Sequence, residues 1–376
     1  MTLPENATPR ASGGTMRRID WETFRHIAAD ADTTLPIEQS AAWDAFDAAV
    51  DGREPWGRLV YSASDGTPRA LISLTRMSVR GFPYLWARHA PVWLGAEPTA
   101  EEEAELRELL VQGVRFHDPA IVFVRLHCTH SAPELHELLQ TMPHDRTIIL
   151  NLDREDDEAF LASFKSRGRR DVRKALRNTE LTFHDETDRA EEVFGELYQI
   201  LLETGDRDGF HAAPEDTYRA MLRMLGPDHC RLYVVRRNGG EALAWSIDTL
   251  WGDGAAHYYA ASTAEGRRSL AADALVYKAG CWLRERGART WDLMGVGSER
   301  TPELNGVGSF KAKFTADGPV SVPGPWDLLV RPRVYAGLVK ALELKHRAEA
   351  GVAAARSRLG ALRGGVGDDS DAAAQQ

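Results

Sequence analysis

One order of secondary-structure signals occurs twice along these 376 residues, and that repeat restricts the fold more than any other feature. In the first half, Gln39 to Val50 reads as a helix. A hairpin follows, Arg58-Leu-Val-Tyr-Ser-Ala63 and Ala70-Leu-Ile-Ser-Leu-Thr75, turned at Asp65-Gly66, a dipeptide that readily takes the positive φ angles of a tight turn. A third strand near Tyr84 to Leu94, a helix from about Thr99 to Phe116 and a buried strand Ile121-Val-Phe-Val-Arg-Leu126 complete the set. In the second half, helices near Ala190–Glu203 and Pro214–Leu225 precede the hairpin Leu232-Tyr-Val-Val235 and Ala242–Leu250, turned at Asn238-Gly-Gly. Ala256–Ala261 is the next strand, Ser269–Arg286 a helix and Thr290-Trp-Asp-Leu-Met294 a strand. The repeat predicts an α+β fold of two copies of one domain, each a mixed, mostly antiparallel sheet flanked by helices.

The junction is expected near Arg154–Arg177, where Lys165, Arg167, Arg169, Arg170, Arg173, Lys174 and Arg177 cluster with only Asp171 opposing. Domain 1 is placed over 18–164 and domain 2, which carries the chemical features, over 165–330. Residues 331–363 read as a basic C-terminal helix opened by Pro332. The polar stretch 1–17 and the Gly/Asp/Ala/Gln-rich stretch 364–376 read as disordered tails.

Charge is distributed unevenly. Residues 1–164 hold 15 arginines, no lysine and 26 acidic residues, whereas 165–376 hold 31 basic and 30 acidic residues. A net charge of −10 argues against a nucleic-acid coat over the whole surface but leaves room for a local basic patch in the second half. Cys128, Cys230 and Cys281 are odd in number and far apart, which offers neither a disulfide framework nor a metal-binding pair. His127-Cys128-x-His130 is the nearest approach to a metal set, and alternation along a strand sends those side chains to opposite faces. No bound metal is expected. No apolar run reaches the length needed to cross a bilayer and the start has no apolar signal core, so a cytoplasmic location is expected, with peripheral membrane contact left open.

No GxSxG, HExxH, P-loop or GxGxxG signature is present. The repeated order of elements is that of the GNAT acyltransferase fold. A CoA-using domain of that fold normally cradles pyrophosphate with a Q/R-x-x-G-x-G/A turn before a helix, where backbone N–H groups bind anions. The corresponding stretch, Ala264-Glu-Gly-Arg-Arg-Ser-Leu-Ala271, departs from that pattern, and Gly95-Ala-Glu-Pro departs further.

Trp291-Asp-Leu-Met-Gly-Val-Gly followed by Gly308-Ser-Phe-Lys-Ala-Lys-Phe314 resembles the strand, glycine loop and Phe-Lys-x-x-Phe of the FemABX family. Thr204-Gly-Asp-Arg-Asp-Gly-Phe210 resembles that family's Arg-x-Gly-Phe stretch, and His257-Tyr-Tyr-Ala-Ala-Ser262 its Tyr-x-Tyr-Gly-Ala-Ser strand. Gln39-Ser40-x-x-Trp43 and Arg88-His-Ala-Pro-Val92 resemble its first-domain helix and Arg-Gly-Pro-Val turn. The similarity spans about Pro36 to Leu329, without the long helical insertion that some members carry. Departures fall on the acceptor side: Asp47 stands where many members have lysine, Ala90 replaces the glycine of Arg-Gly-Pro-Val, the acid that often follows is absent around Trp93-Leu94, and His211 stands where an aromatic hydroxyl is common.

The resemblance implies an aminoacyltransferase that moves an amino acid from aminoacyl-tRNA to an amine of a lipid-linked or UDP-linked peptidoglycan precursor, with no cofactor besides that donor. It places Lys311 and Phe310 at the donor end. Arg207, Tyr259 and His211 would bind the acceptor, with Asp292 guiding the attacking amine or capping a loop. Arg167, Arg169, Arg170, Arg173 and Lys174 are expected to contact tRNA phosphates through salt-sensitive charge neutralisation. A CoA-dependent acyltransferase of a small molecule, tRNA-dependent tailoring of a peptide natural product and a non-catalytic binding relative stay as alternatives. The basic C-terminal helix is expected either on the first domain or against anionic lipid.

Overall fold

The computed structural model describes residues 13–139 and 144–345. The first half runs through strand β1 (Thr15–Ile19), helices α1 (Trp21–Asp30) and α2 (Ala41–Ala48), and strands β2 (Glu54–Ser62), β3 (Pro68–Val79), β4 (Phe82–Trp86) and β5 (Val92–Trp93). Helix α3 (Ala100–His117) leads to β6 (Phe123–Cys128), β7 (Leu135–His136) and β8 (Arg146–Asn151). Helices α4 (Asp157–Ala162) and α5 (Ser166–Leu176) precede β9 (Leu181–Asp185), α6 (Ala190–Asp208) and α7 (Glu215–His229). Then come β10 (Cys230–Arg237), β11 (Ala242–Trp251), β12 (Gly254–Ser262), α8 (Ala264–Arg268) and α9 (Ala271–Glu285). The last elements are β13 (Thr290–Gly295), α10 (Asn305–Lys311), β14 (Val320–Ser321), β15 (Gly324–Leu329) and a helix over 332–345.

Two sheets result, β1-β2-β3-β4-β6-β15-β7 with β5 beside β3, and β14-β8-β13-β12-β11-β10-β9. Each has one parallel pair, β4 with β6 and β12 with β13, among antiparallel neighbours. The expected α+β pair of GNAT-like sheets is what forms. Local sequence explains the helices that flank them. Thr99 caps α3 in a reciprocal box with Glu102, and Leu106, Leu109, Leu110 and Val114 recur on one face, which packs into the first core.

The sheets divide the chain differently from 18–164 and 165–330. Strand β8 precedes residue 165 yet pairs with β13 in the second sheet, and β15 returns to pair with β6 in the first. Each half thus lends a strand to its neighbour. A buried ion pair fixes the return: Arg125 Nε lies 2.8 Å from Asp327 Oδ1, with side chains 2 % and 0 % exposed. Residues 15–17, expected in a tail, lie in β1, because Thr15–Ile19 pairs with Ser62–Arg58 and buries Met16. The third strand of the first half is broken into β4 and β5, with His89 between them at φ +48°.

The C-terminal helix is described only to residue 345. There Tyr335, Leu338 and Leu342 pack with Tyr84, Val122 and Phe123, so this part of it rests on the first domain. The rest of 331–363, all of 364–376 and residues 1–12 lie outside the described residues.

Candidate active site

The parallel pair β12 and β13 determines where a site can form. Their ladder covers Gly254↔Thr290, Ala255↔Trp291 and Ala256↔Asp292, although the strands continue to Ser262 and Gly295. Past Asp292 the two strands part, which leaves a gap at their carboxyl ends.

β13 itself bends there. Met294 takes φ +64°, and its N–H donates to Asp292 Oδ1 at 2.6 Å. The Thr147 hydroxyl donates to the same oxygen. The turn brings two successive carbonyl groups to one ammonium: Lys311 Nζ donates to Met294 O at 3.1 Å and to Gly295 O at 2.8 Å. Burial pulls Lys311 down to about 8, and the Asp292 carboxylate opposes that shift. Two of the three ammonium protons are engaged, which leaves one donor direction for a ligand.

Phe310 and Phe314 pack edge to face with centroids 5.1 Å apart, and Phe314 is fully buried. Lys313 Nζ lies 4.7 Å from the Phe310 ring and pairs with Asp273 and, at 3.7 Å, with Asp171 of α5. The Phe-Lys segment, to which the sequence assigned no element, closes a short helix here. Gly308 makes it possible, since a Cβ there would meet Val296 at 3.2 Å and Gly297 N at 3.3 Å.

Of the predicted acceptor residues, Arg207 and Tyr259 lie along the carboxyl-terminal part of β12. Arg207, in the last turn of α6, forks onto the carboxylate of Asp208 and donates to Ser262 O at 3.2 Å. His211 is exposed on the loop that follows. Tyr259 stacks edge to face on Tyr218 at 4.8 Å, and burial raises its hydroxyl above the usual range. Strict alternation would send only one of Tyr258 and Tyr259 to the core. A bulge opposite Ile247 and Asp248 breaks it, so Tyr258 and Tyr259 both pack on the cluster around Trp43 and Trp245.

Of the basic run, Arg167, Arg170, Arg173 and Lys174 are exposed on α5. Arg169 is not available in the same way: its Nη1 donates to the carbonyls of Ala162 and Phe164. Asp47, the acidic departure, is fully buried and holds Arg88 at 2.6 Å, Arg53 at 3.2 Å and the Thr75 hydroxyl at 2.7 Å. It is an internal clamp and not a free surface charge.

Sequence reasoning missed the titratable groups that the first domain brings to this edge. Glu38 is 8 % exposed; its Oε1 accepts from the Tyr258 hydroxyl and lies 3.6 Å from His89 Nε2. His89 stacks on His127 with centroids 5.0 Å apart. Burial chiefly lowers His127 to about 3 and His144 to about 4; the charges of His89 and Lys311 add to the shift of His144, and Asp292 opposes it. Only the folded pairing of distant segments brings residues 38, 89, 127, 144, 292 and 311 together. Among the described residues, no group of three or more His, Cys, Asp or Glu side chains could hold a metal ion. His127 and His130 bond to the carbonyls of Pro323 and Pro98.

In the stretch that would face a CoA pyrophosphate, several amides are already engaged and a carboxylate stands in the first helical turn. Within Thr263–Leu270, the N–H groups of Gly266, Arg267, Ser269 and Leu270 bond to Thr263 Oγ1, Thr263 O, Glu265 O and Arg267 O. Glu265 adds a carboxylate at the first turn. The equivalent helix of the first half opens with Glu101, Glu102 and Glu103.

The acetyltransferase (GNAT) domain family matches residues 162–302. A UDP-N-acetylmuramoylpentapeptide-lysine N(6)-alanyltransferase from Weissella viridescens is 28 % identical over 145 residues, 39 % of this chain and 42 % of that protein's length. The crystal structure of FemX superposes with a TM-score of 0.63 at 16 % identity, covering 85 % of this chain and 98 % of FemX. A tandem GNAT protein from the clavulanic acid biosynthesis pathway superposes with a TM-score of 0.51 at 12 % identity, covering 81 % and 92 %. With one GNAT domain matched in sequence over residues 162–302 and the FemX architecture followed through both sheets, this chain has two tandem GNAT-like folds and is similar to FemX and to the Weissella viridescens alanyltransferase.

Proposed function

We propose that this protein is an aminoacyltransferase that moves an amino acid from aminoacyl-tRNA to an amine of a peptidoglycan precursor peptide. The observation that carries the reading is Lys311, held on two carbonyl groups at the mouth of the parting strands with one proton left to donate. An aminoacyl ester is already activated, so the protein must align it with the amine and stabilise the oxyanion of the tetrahedral intermediate. Lys311 would supply that positive charge. Asp292 fixes the Met294 turn that aims the carbonyl groups, and one of its oxygens remains to receive the amine. Arg207 would exchange its exposed pairing with Asp208 for phosphate or carboxylate oxygens of the acceptor, since an exposed ion pair costs little to break. The exposed arginines of α5 would meet tRNA phosphates beside the Lys311 segment, because Lys165 N–H bonds to Lys313 O at 3.0 Å.

Tailoring of a peptide natural product by the same chemistry is the second reading. Asp47 favours it, since the position is an internal clamp here and lysine in many FemABX members. Among the described residues, no helix is long and apolar enough to cross a membrane.

Transfer of a radiolabelled amino acid tests the donor. It should require charged tRNA, be abolished by RNase and weaken with rising salt. Reversing Arg167, Arg170 and Lys174 to Glu should raise the donor KM and flatten the salt dependence, with less change in kcat. Efficient acyl-CoA turnover without tRNA would overturn the reading. A precursor with a side-chain amine, compared with a set of short peptides, separates the two acceptors.

A further inference from the structure

The first domain brings a histidine close to the Glu38–Tyr258 contact between the two domains. His89 sits between β4 and β5 with φ +48°, a left-handed conformation in which non-glycine residues are uncommon and which recurs at functional sites. About a third of its side chain is exposed, and neither ring nitrogen makes a hydrogen bond among the described residues. Its surroundings hold it in place. Below it lies His127, whose Nδ1 bonds to Pro323 O at 2.9 Å; a carbonyl only accepts, so Nδ1 carries the proton. Burial keeps His127 neutral, with a value of about 3. Beside it lies Glu38, which Tyr258 of the second domain anchors through its hydroxyl. Beyond it lies His144, which also feels Asp292 and Lys311. Arg300, the other charge near His127, is engaged by Glu137 at 2.9 Å.

We propose that His89 is the general base that takes the proton from the acceptor amine, with Glu38 as the positioning residue that orients the imidazole and stabilises its protonated form. The inference rests on the amine-acceptor reading above. The amine nitrogen forms the new bond to the ester carbonyl carbon, and one N–H proton passes to a ring nitrogen of His89. The ester C–O bond breaks, and its electron pair leaves with the ribose oxygen. That oxygen takes a proton from the Lys311 ammonium, which is restored as His89 releases its own proton through solvent. A carboxylate–imidazole pair facing a cationic oxyanion stabiliser divides proton removal and charge stabilisation between the two domains.

The test uses the full-length protein with charged tRNA and an amine acceptor. His89→Asn keeps a side chain that tolerates positive φ, and His89→Gly leaves a gap the size of an imidazole. Both should lower kcat by about 10²–10⁴ and leave acceptor affinity within about twofold. Added 4-methylimidazole should restore turnover to His89→Gly in proportion to its concentration. Glu38→Gln keeps an acceptor for the Tyr258 hydroxyl and should lower kcat by about tenfold with the acceptor KM unchanged. Wild-type kcat in both His89 variants would overturn the assignment, as would losses explained by acceptor binding alone with no rescue. Wild-type protein that is silent with charged tRNA would sink the donor reading, and this proposal with it. Active wild type with unaffected variants would sink this proposal alone.

Discussion

The carbonyl oxygen of Lys313 occupies the place where a side chain on Gly168 would begin: a Cβ there would stand 2.3 Å from it. Helix α5, the carrier of the exposed arginines, is therefore pressed backbone to backbone against the segment that holds Lys311. Gly168→Ala must push the two apart, and forced overpacking typically costs about 1–3 kcal/mol. Its melting temperature should fall by several degrees, and donor-dependent activity should fall further than the stability loss explains. Gly337→Ala, whose Cβ meets nothing within 4 Å, serves as the control and should lower neither.

Lys311 gives a pH prediction as well as a mutational one. Removing a charge aimed at a developing oxyanion typically costs about 10²–10³ in rate, so Lys311→Ala should fold and lose that much kcat. Because burial holds Lys311 near 8, the wild-type rate should decline as pH rises through that value. Lys311→Arg, charged throughout, should lose the decline while retaining part of the rate. Stability runs the other way. The folded value lies below the unfolded 10.5, so burial of the ammonium is unfavourable below pH 8, and the penalty is relieved between 8 and 10.5. Lys311→Met should therefore raise the melting temperature at neutral pH while abolishing transfer, and a drop would remove the charge-burial account.

Arg207 is pre-arranged as a two-pronged donor, with Nε and Nη2 both on Asp208 at 2.7 and 2.8 Å. A lysine cannot reproduce that fork. Arg207→Lys should weaken acceptor binding about tenfold in calorimetry with a UDP-linked precursor and leave donor binding unchanged. Asp208→Asn, which removes the competing charge, should tighten acceptor binding. Equal effects on donor and acceptor would place Arg207 outside the acceptor site.

Much of the fold was legible because its signals are local. The Asp65-Gly66 turn, the capped helix after Thr99 and the hairpin around Asn238-Gly-Gly are each specified by residues a few positions apart. The exchange of β8 and β15 was not, since Arg146-Thr-Ile-Ile-Leu-Asn151 says strand but not which sheet. That choice depends on partners over a hundred residues away, such as Thr290↔Asn151. Helix α10 was hidden by Gly306 and Gly308, which lower helix propensity while permitting the close approach to Val296. Motif resemblance picked out Lys311, Asp292 and Arg207. Glu38 and His144 belong to no motif, and His89 lies inside the Arg88-His-Ala-Pro-Val92 turn without being marked by it; the role proposed for them depends on the meeting of the two sheets.

That meeting can itself be tested at Arg125 and Asp327. They are partners in the β6–β15 ladder, 202 positions apart in sequence, and nearly all of both side chains is out of water. Asp327 Oδ2 also accepts from Leu139 N–H and the Tyr335 hydroxyl, both at 3.1 Å, which ties the C-terminal helix to the same carboxylate. Burial pushes the carboxyl up, against the pull of the guanidinium. Deleting one partner strands the other charge in a low-dielectric interior, a loss of about 3–5 kcal/mol. Asp327→Ala should therefore lower the melting temperature markedly and expose the chain between Ser321 and Gly324 to limited proteolysis. Replacing both, Arg125→Met with Asp327→Leu, should recover most of the stability, because apolar packing can substitute for a buried ion pair but not for half of one. If the double replacement were as unstable as the single, the hydrogen bonds to Leu139 and Tyr335, and not charge pairing, would be what holds β15 in the first sheet.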